Sequence, residues 1–317
     1  MKKINLYNKE HKEQYLESLP SDDLRRVERR FLNCMFEYES RLRKDISEFS
    51  LEEIVNAILG SHIVMTEEYK RCRSTITRYR EYCGATPITM PSVTEIKQAY
   101  IDNGVFPYAL SDKDLYETAI NVVRQTEYQK RFLEMSIAYL LLMFYGVSEQ
   151  QCLTIPKSFT DVFTLPNGKI ITDSNIQDFF VDLAKSTGYS VRSNIKGETK
   201  SLKYMDSSYL LREAYYISSP PEDQHKDIDS DGLNIIRSKC SKLSRFTDKL
   251  LFSHVVLAGL LNDTFNQDLE NRDFRTTIMT ETEIKNGLKN GTIKHDLTLV
   301  QEERYQLFKA IRIKNSI

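Results

Sequence analysis

The stretch Arg131–Ile155, RFLEMSIAYLLLMFYGVSEQQCLTI, decides the fold class. Its first part is an apolar helix interrupted only by Glu134 and Ser136; it stops at Gly146, and Leu153 and Ile155 restart in an alternation that reads as a strand. A helix that is apolar nearly all round belongs in a core or a membrane. At about fifteen residues, with Glu134 inside it, this one is too short and too polar to span a bilayer. It is therefore expected as the central helix of a domain.

The chain has 317 residues, enough for two domains with a core each. Its formal net charge is -1, so no global field draws it to nucleic acid or anionic lipid, and any DNA role has to come from local basic clusters. Cys34, Cys72, Cys83, Cys152 and Cys240 are scattered without CxxC spacing. That pattern argues against a disulfide framework and a zinc site, and for small buried residues in a reducing cytoplasm. The opening MKKINLYNKEHKEQ has no apolar run behind its lysines, so no signal peptide is expected.

Residues 1–105 read as helical. In SDDLRRVERRFLNCMFEYESRLRK, Ser21 is a cap and Leu24, Val27, Phe31, Met35 and Tyr38 recur at helical spacing. SLEEIVNAILGSHI carries a capping box, Ser50 with Glu53. In TEEYKRCRSTITRYREYCG, Tyr69, Cys72, Ile76, Tyr79 and Cys83 form one buried stripe, and Gly84 ends the helix. Lys70, Arg71, Arg73, Thr77, Arg78 and Arg80 flank that stripe. They are either a solvated face or a row of phosphate contacts, since cations and a hydroxyl at successive turns can follow a DNA strand.

Gly104 and Pro107 break the periodicity, which places a domain boundary at 105/106 and a second domain over 106–317. After the central helix, Asn167-Gly168 signals a hairpin within LTIPKSFTDVFTLPNGKIITDS, and DSNIQDFFVDLAKSTG is a helix expected to close at Gly188. Arg192, Lys196, Lys200 and Lys203 surround Gly197 in a second candidate hairpin; they are DNA-contact candidates or simply an exposed turn. Asp227, Asp229, Asp231 and Gly232 imitate the start of a calcium loop, but the twelfth position is Ser238 where a bidentate glutamate is required. A solvated turn capping the next helix is the better reading, and no metal is expected. That helix carries Arg237, Lys239, Lys242 and Arg245 and leads into DKLLFSHVVLAGLLNDTF. The fold class expected is mainly α with a small β-sheet.

Two segments resemble the tyrosine recombinases of the phage integrase family. Tyr145–Ile155, YGVSEQQCLTI, is similar to the family's TGLRISELLAL pattern, with Ser148 where the first catalytic arginine belongs. Leu250, Leu251, Phe252, Ser253 and His254 fall on HDLRH, so Leu250 takes the histidine position and Ser253 that of the second arginine. The resemblance implies a helical core-binding domain over 1–105 that clamps DNA, followed by a catalytic-like domain. It also implies an active-site lysine on a hairpin, which aligns with no single one of Lys196, Lys200 and Lys203, and a nucleophilic tyrosine near the C-terminus. Tyr305 is the tyrosine there, and packing is the preferred reading for it.

In that family two arginines hold the phosphate oxygens as charge builds, and loss of one such group costs about 10²–10³ in rate. Serines carry no charge, so the chemistry should be lost while the DNA-clamping architecture stays. The whole chain resembles the integrase-fold repressors of SPβ-type phages. The expectation is a non-enzymatic, cytoplasmic, sequence-specific repressor that maintains prophage lysogeny, with double-stranded operator DNA as partner, a regulatory protein or peptide as a further one, and no cofactor. An active recombinase remains the alternative if Arg131, Arg212, Arg237 or Arg245 takes the arginine roles and Tyr305 attacks. A helical protein-interaction module without DNA is the third class.

Overall fold

The computed structural model describes residues 5–103, 106–126, 130–192, 199–270, 286 and 299–315. The fold is mainly helical with a small three-stranded antiparallel sheet, as expected. Two compact units divide it: Met1–Phe106 together with Arg275–Ile317, and Pro107–Phe274. The chain thus parts one residue from the expected 105/106 boundary. Its C-terminal stretch, expected in the second domain, groups with the first unit.

The first unit contains α1 (Lys9–Ser18), α2 (Asp22–Leu42), α3 (Leu51–Gly60), α4 (Thr66–Tyr82) and α5 (Val93–Asn103). Ser21 caps α2 by accepting from the Leu24 amide, and Ser50 and Glu53 form the expected box on α3. The stripe Tyr69, Cys72, Ile76 and Tyr79 of α4 is buried, as are Phe31, Leu32 and Met35 of α2. Residue 65, ahead of α4, is Met65, whose side chain cannot cap. A residue more than 200 positions away does so instead. Glu303, on the C-terminal helix α12 (Leu299–Lys314), accepts from the Thr66 amide at 2.7 Å and from the Thr66 hydroxyl. Lys97 of α5 places its ammonium 2.6 Å from the same carboxylate and 3.1 Å from Thr66 Oγ1. Lys97 and Glu303 are both buried, so this pair ties α12 to α4 and α5. Lys314 with Asp102, 2.7 Å apart, repeats the tie at the exposed end.

The second unit is built around α7 (Lys130–Phe144), against which α6 (Asp112–Gln125), α10 (Ser230–Leu243) and α11 (Phe252–Glu270) pack. Leu133, Ile137, Leu140, Leu141 and Leu142 are all buried, each worth roughly 1.5–3 kcal/mol against exposure. The two polar interruptions are satisfied: Ser136 donates to the Ile236 carbonyl at 3.0 Å, and Glu134 pairs with Arg131 at 2.9 Å. Gly259 lets α11 cross α7 closely, since a Cβ there would lie 2.0 Å from the Phe144 carbonyl oxygen. Gly146 ends α7 with φ +76°.

The strand expected through Leu153 and Ile155 does not form. Instead α8 (Glu149–Cys152) follows, and the extended contact there is a single bridge, Pro156 to Tyr209. Around Asn167-Gly168 the chain does turn, with Gly168 at φ +82°, yet its flanks share one bridge, Thr164 to Ile170. Backbone bonds from Leu165 to Lys169 and from Ile171 to Phe163 close the turn, and it is tied from outside too: Asn167 donates to the Tyr145 carbonyl at 2.8 Å and Lys169 pairs with Asp263 at 2.5 Å. α9 (Ser174–Lys185) is capped by Asp173, and Gly188 opens a strand rather than closing the helix. The sheet is β1 (Gly188–Arg192), β2 (Thr199–Tyr204) and β3 (Ala214–Tyr216), with Tyr189 opposite Leu202 and Leu202 opposite Tyr216.

Removing one partner of a buried pair leaves a charge without compensation. Glu303→Ala strands Lys97 and uncaps α4, so urea denaturation is expected to report a loss of about 3 kcal/mol. A loss within about 0.5 kcal/mol, the range of an ordinary surface change, would contradict the tie.

Candidate nucleic-acid interface

The cations of α4 differ in how far each is committed to the fold. Arg80 is 6% exposed and donates to the carbonyls of Ile46, Ser47, Phe49 and Thr86 at 2.7–3.2 Å. Burial lowers its pKa, and the four carbonyls hold it in place. Arg80 therefore fastens the segment after α2 to α4, and its donors face backbone carbonyls where the sequence expectation has them on an exposed face. Arg78 is intermediate: its Nε donates to Glu28 at 2.7 Å and its Nη2 to the same oxygen, while 42% of the side chain remains exposed. Burial works against the Arg78 charge, but the Glu28 carboxylate outweighs it and raises the pKa.

Lys70, Arg71 and Thr77 are exposed and Arg73 is half-buried. Lys70 pairs with Glu67 at 2.8 Å, across one turn of exposed helix, where such a pair is weak. Lys70, Arg71, Ser74 and Arg78 line one open groove of about 500 Å³ between α2 and α4. On α4 this groove is lined by Lys70, Arg71, Ser74 and the outer part of Arg78, with Arg73 and Thr77 outside it.

In the second unit Lys200 and Lys203 are exposed on β2, with Lys200 Nζ 5.5 Å from the Tyr216 ring centre. Lys196 and the Arg192 side chain lie outside the described residues. On α10, Lys239 and Lys242 hold their ammonium groups 5.0 and 4.3 Å from the centre of the Phe132 ring. Burial, and then Lys242 beside it, depress the Lys239 pKa. Arg245 is exposed.

Ser148, at the first arginine position of the resemblance, caps α8: it accepts from the Gln151 amide while Gln151 reaches back to its own. Leu250 is fully buried and Ser253 lies exposed in the first turn of α11. His254 bonds through Nδ1 to the Asp248 carbonyl at 2.9 Å and packs on Tyr108. Between these segments sits a closed set. Arg237 donates to Glu149 at 3.0 Å and lies 4.5 Å from the Phe252 ring centre, and Tyr139 donates to the same Glu149 oxygen at 2.8 Å. The other arginines considered for catalysis are engaged elsewhere. Arg212 is buried and donates to the Leu183 and Ser186 carbonyls at 2.6 and 2.9 Å, and Arg131 pairs with Glu134.

The calcium-like acids serve the fold. Asp229 caps α10 by accepting from Gly232, and Asp227 accepts from Ser207 at 2.6 Å. Two residues that sequence reasoning passed over matter most here: Glu28, fully buried, and Tyr15, which donates to it. Glu28 and Glu39 fall in helical phase with Leu24, Phe31 and Met35, so acids inside an apolar stripe were the available signal.

Residues 6–85 match the family model described as MrpR, N-terminal core-binding domain. This is a domain type associated with the phage integrase family. The match lies wholly within the first unit and spans α1 to α4. No curated protein matches the chain.

Arg80→Ala removes four hydrogen bonds to carbonyls, two of them buried, and is expected to cost about 2 kcal/mol or more in urea denaturation, whereas Arg71→Ala should stay within about 0.5 kcal/mol. Equal effects would mean that the division between structural and free arginines is wrong. Ser148→Ala should cost about 1 kcal/mol through the lost cap. A neutral result would show that the serine does not hold α8.

Proposed function

We propose that this chain is a DNA-binding transcriptional regulator that keeps the integrase architecture without its chemistry. The observation that carries the reading is the exposed cationic face of α4, within the segment that matches a core-binding domain. Lysine and arginine side chains at successive turns supply sequence-independent affinity by neutralising phosphates and releasing counterions. Specificity for an operator would come from base-edge contacts laid over this.

The absence of strand cleavage is part of the same proposal. Ser148 and Ser253 stand where the family places its phosphate-clamping arginines, and neither can neutralise developing charge. The nearby guanidinium of Arg237 is already paired with Glu149, whose carboxylate would repel a phosphate. Tyr305 is fully buried in the first unit, which supports packing over nucleophilic attack. A repressor that maintains prophage lysogeny is the concrete form, with double-stranded DNA as partner. Among the described residues no helix is long and apolar enough to cross a membrane.

Gel shifts on duplex DNA at rising salt test the binding. Lys70→Ala with Arg71→Ala should weaken binding and flatten the log K against log salt slope by about 1.8, for two lost phosphate contacts. An unchanged slope removes α4 from the interface, and no binding by the unaltered chain favours a protein-interaction module. Incubation with nicked or supercoiled duplex should yield no covalent protein–DNA species. An adduct that Tyr305→Phe abolishes would make the chain a recombinase.

A further inference from the structure

Arg78 raises a question that a phosphate row alone does not answer. A helix-surface arginine on a DNA-contacting face has no need of a buried partner, yet this one is held by a carboxylate with no solvent exposure. Glu28 accepts two bonds from Arg78, through Nε and Nη2, and one from the Tyr15 hydroxyl. Tyr15 is itself buried, and its ring packs edge-on against Tyr79 at 5.1 Å. The guanidinium is thus fixed along one edge while the side chain still lines the groove between α2 and α4.

The rest of the groove is arranged around that arginine. Lys70, Ser74 and Arg78 are spaced by four residues, so they stack along one face of α4, and Arg71 lies beside them. Arg71 makes no ion pair or hydrogen bond with any described residue. At the floor, Thr75 is 1% exposed and its Oγ1 has no hydrogen-bond partner among the described residues, an unusual state for a buried hydroxyl. Leu24 and Val27 form the α2 wall, and the one carboxylate of the lining, Asp23, is paired with Arg26 at 2.8 Å.

We propose that this groove is the seat of a DNA phosphodiester, and that Glu28 and Tyr15 are positioning residues which set the angle of Arg78 towards it. The inference rests on the reading that the first unit binds DNA. A planar guanidinium grips a phosphate with two parallel N–H bonds only when its plane is correctly turned, and a free arginine gives up side-chain entropy to reach that orientation. The Glu28 pair removes that loss in advance. Glu28, although an acid beneath a phosphate site, thereby strengthens binding.

That sign makes the proposal testable. Glu28→Gln adds one positive charge to the chain while loosening Arg78. A purely electrostatic role predicts tighter DNA binding, and the positioning role predicts weaker binding, by about three- to tenfold at fixed salt, with the salt slope unchanged. Arg78→Lys keeps the charge but loses the fork, so it should lower affinity by about fivefold or more, again at an unchanged slope. Tyr15→Phe should move affinity in the same direction by a smaller factor. All three are measured by fluorescence anisotropy on a labelled duplex with the full chain, beside far-ultraviolet circular dichroism as the check on folding. Equal or tighter binding by folded Glu28→Gln overturns the proposal. Should that variant fail to fold, wild-type affinity in Arg78→Lys overturns it equally. Absence of duplex binding by the unaltered chain is a different result, because it removes the DNA reading beneath the proposal.

Discussion

A carboxylate taken out of water must be met by a cation or by donors, and the first unit is assembled around that requirement. Glu28, Glu39 and Glu303 are all buried, and each is answered from another helix: Arg78 of α4 with Tyr15 of α1, Lys12 of α1, and Lys97 of α5. Such pairs add little net stability compared with apolar packing, but each is costly to break. They therefore act as register marks that fix which residue of one helix faces which residue of another. The cap that Glu303 gives to α4 has the same logic, since it joins the C-terminal helix to a helix whose own N-cap residue, Met65, has no capping side chain.

This constraint also decides what is left for a ligand. Six positions on α4 looked equivalent as candidates, and the structure gives them different work. Arg80 is used up by backbone carbonyls and Arg78 is shared between Glu28 and the groove, while Lys70 and Arg71 remain on the surface. In the second unit a similar division holds. Arg212 bonds carbonyls ahead of the sheet, Arg237 closes on Glu149 and Phe252, and Lys239 and Lys242 lean on Phe132. The two arginine positions of the integrase pattern hold a helix cap, Ser148, and an exposed first-turn serine, Ser253.

Much of this was legible from spacing. The apolar run through α7, the stripe from Tyr69 to Tyr79 and the Ser50–Glu53 box are local patterns, and local patterns survive folding. What failed were signals overridden by distant contacts. Asn167-Gly168 turns as its sequence demands, but its ladder stays short, with Leu165 bonded to Lys169 and Ile171 to Phe163, and contacts to Tyr145 and Asp263 hold it as well. Gly188 looked like a helix stop and opens β1. The fate of Arg80 depends on carbonyls more than thirty residues earlier, which periodicity does not encode. The membership of the C-terminal helix in the first unit is a long-range fact of the same kind.

On the proposed function, this chain occupies duplex DNA without cutting it. Footprinting on genomic fragments that carry candidate control regions tests this most directly. A non-cleaving DNA-binding protein should leave discrete protected duplex segments that fade as salt rises, with both strands intact on a denaturing gel. Uniform lack of protection at low salt, or protection accompanied by a nick at the protected site, would contradict it.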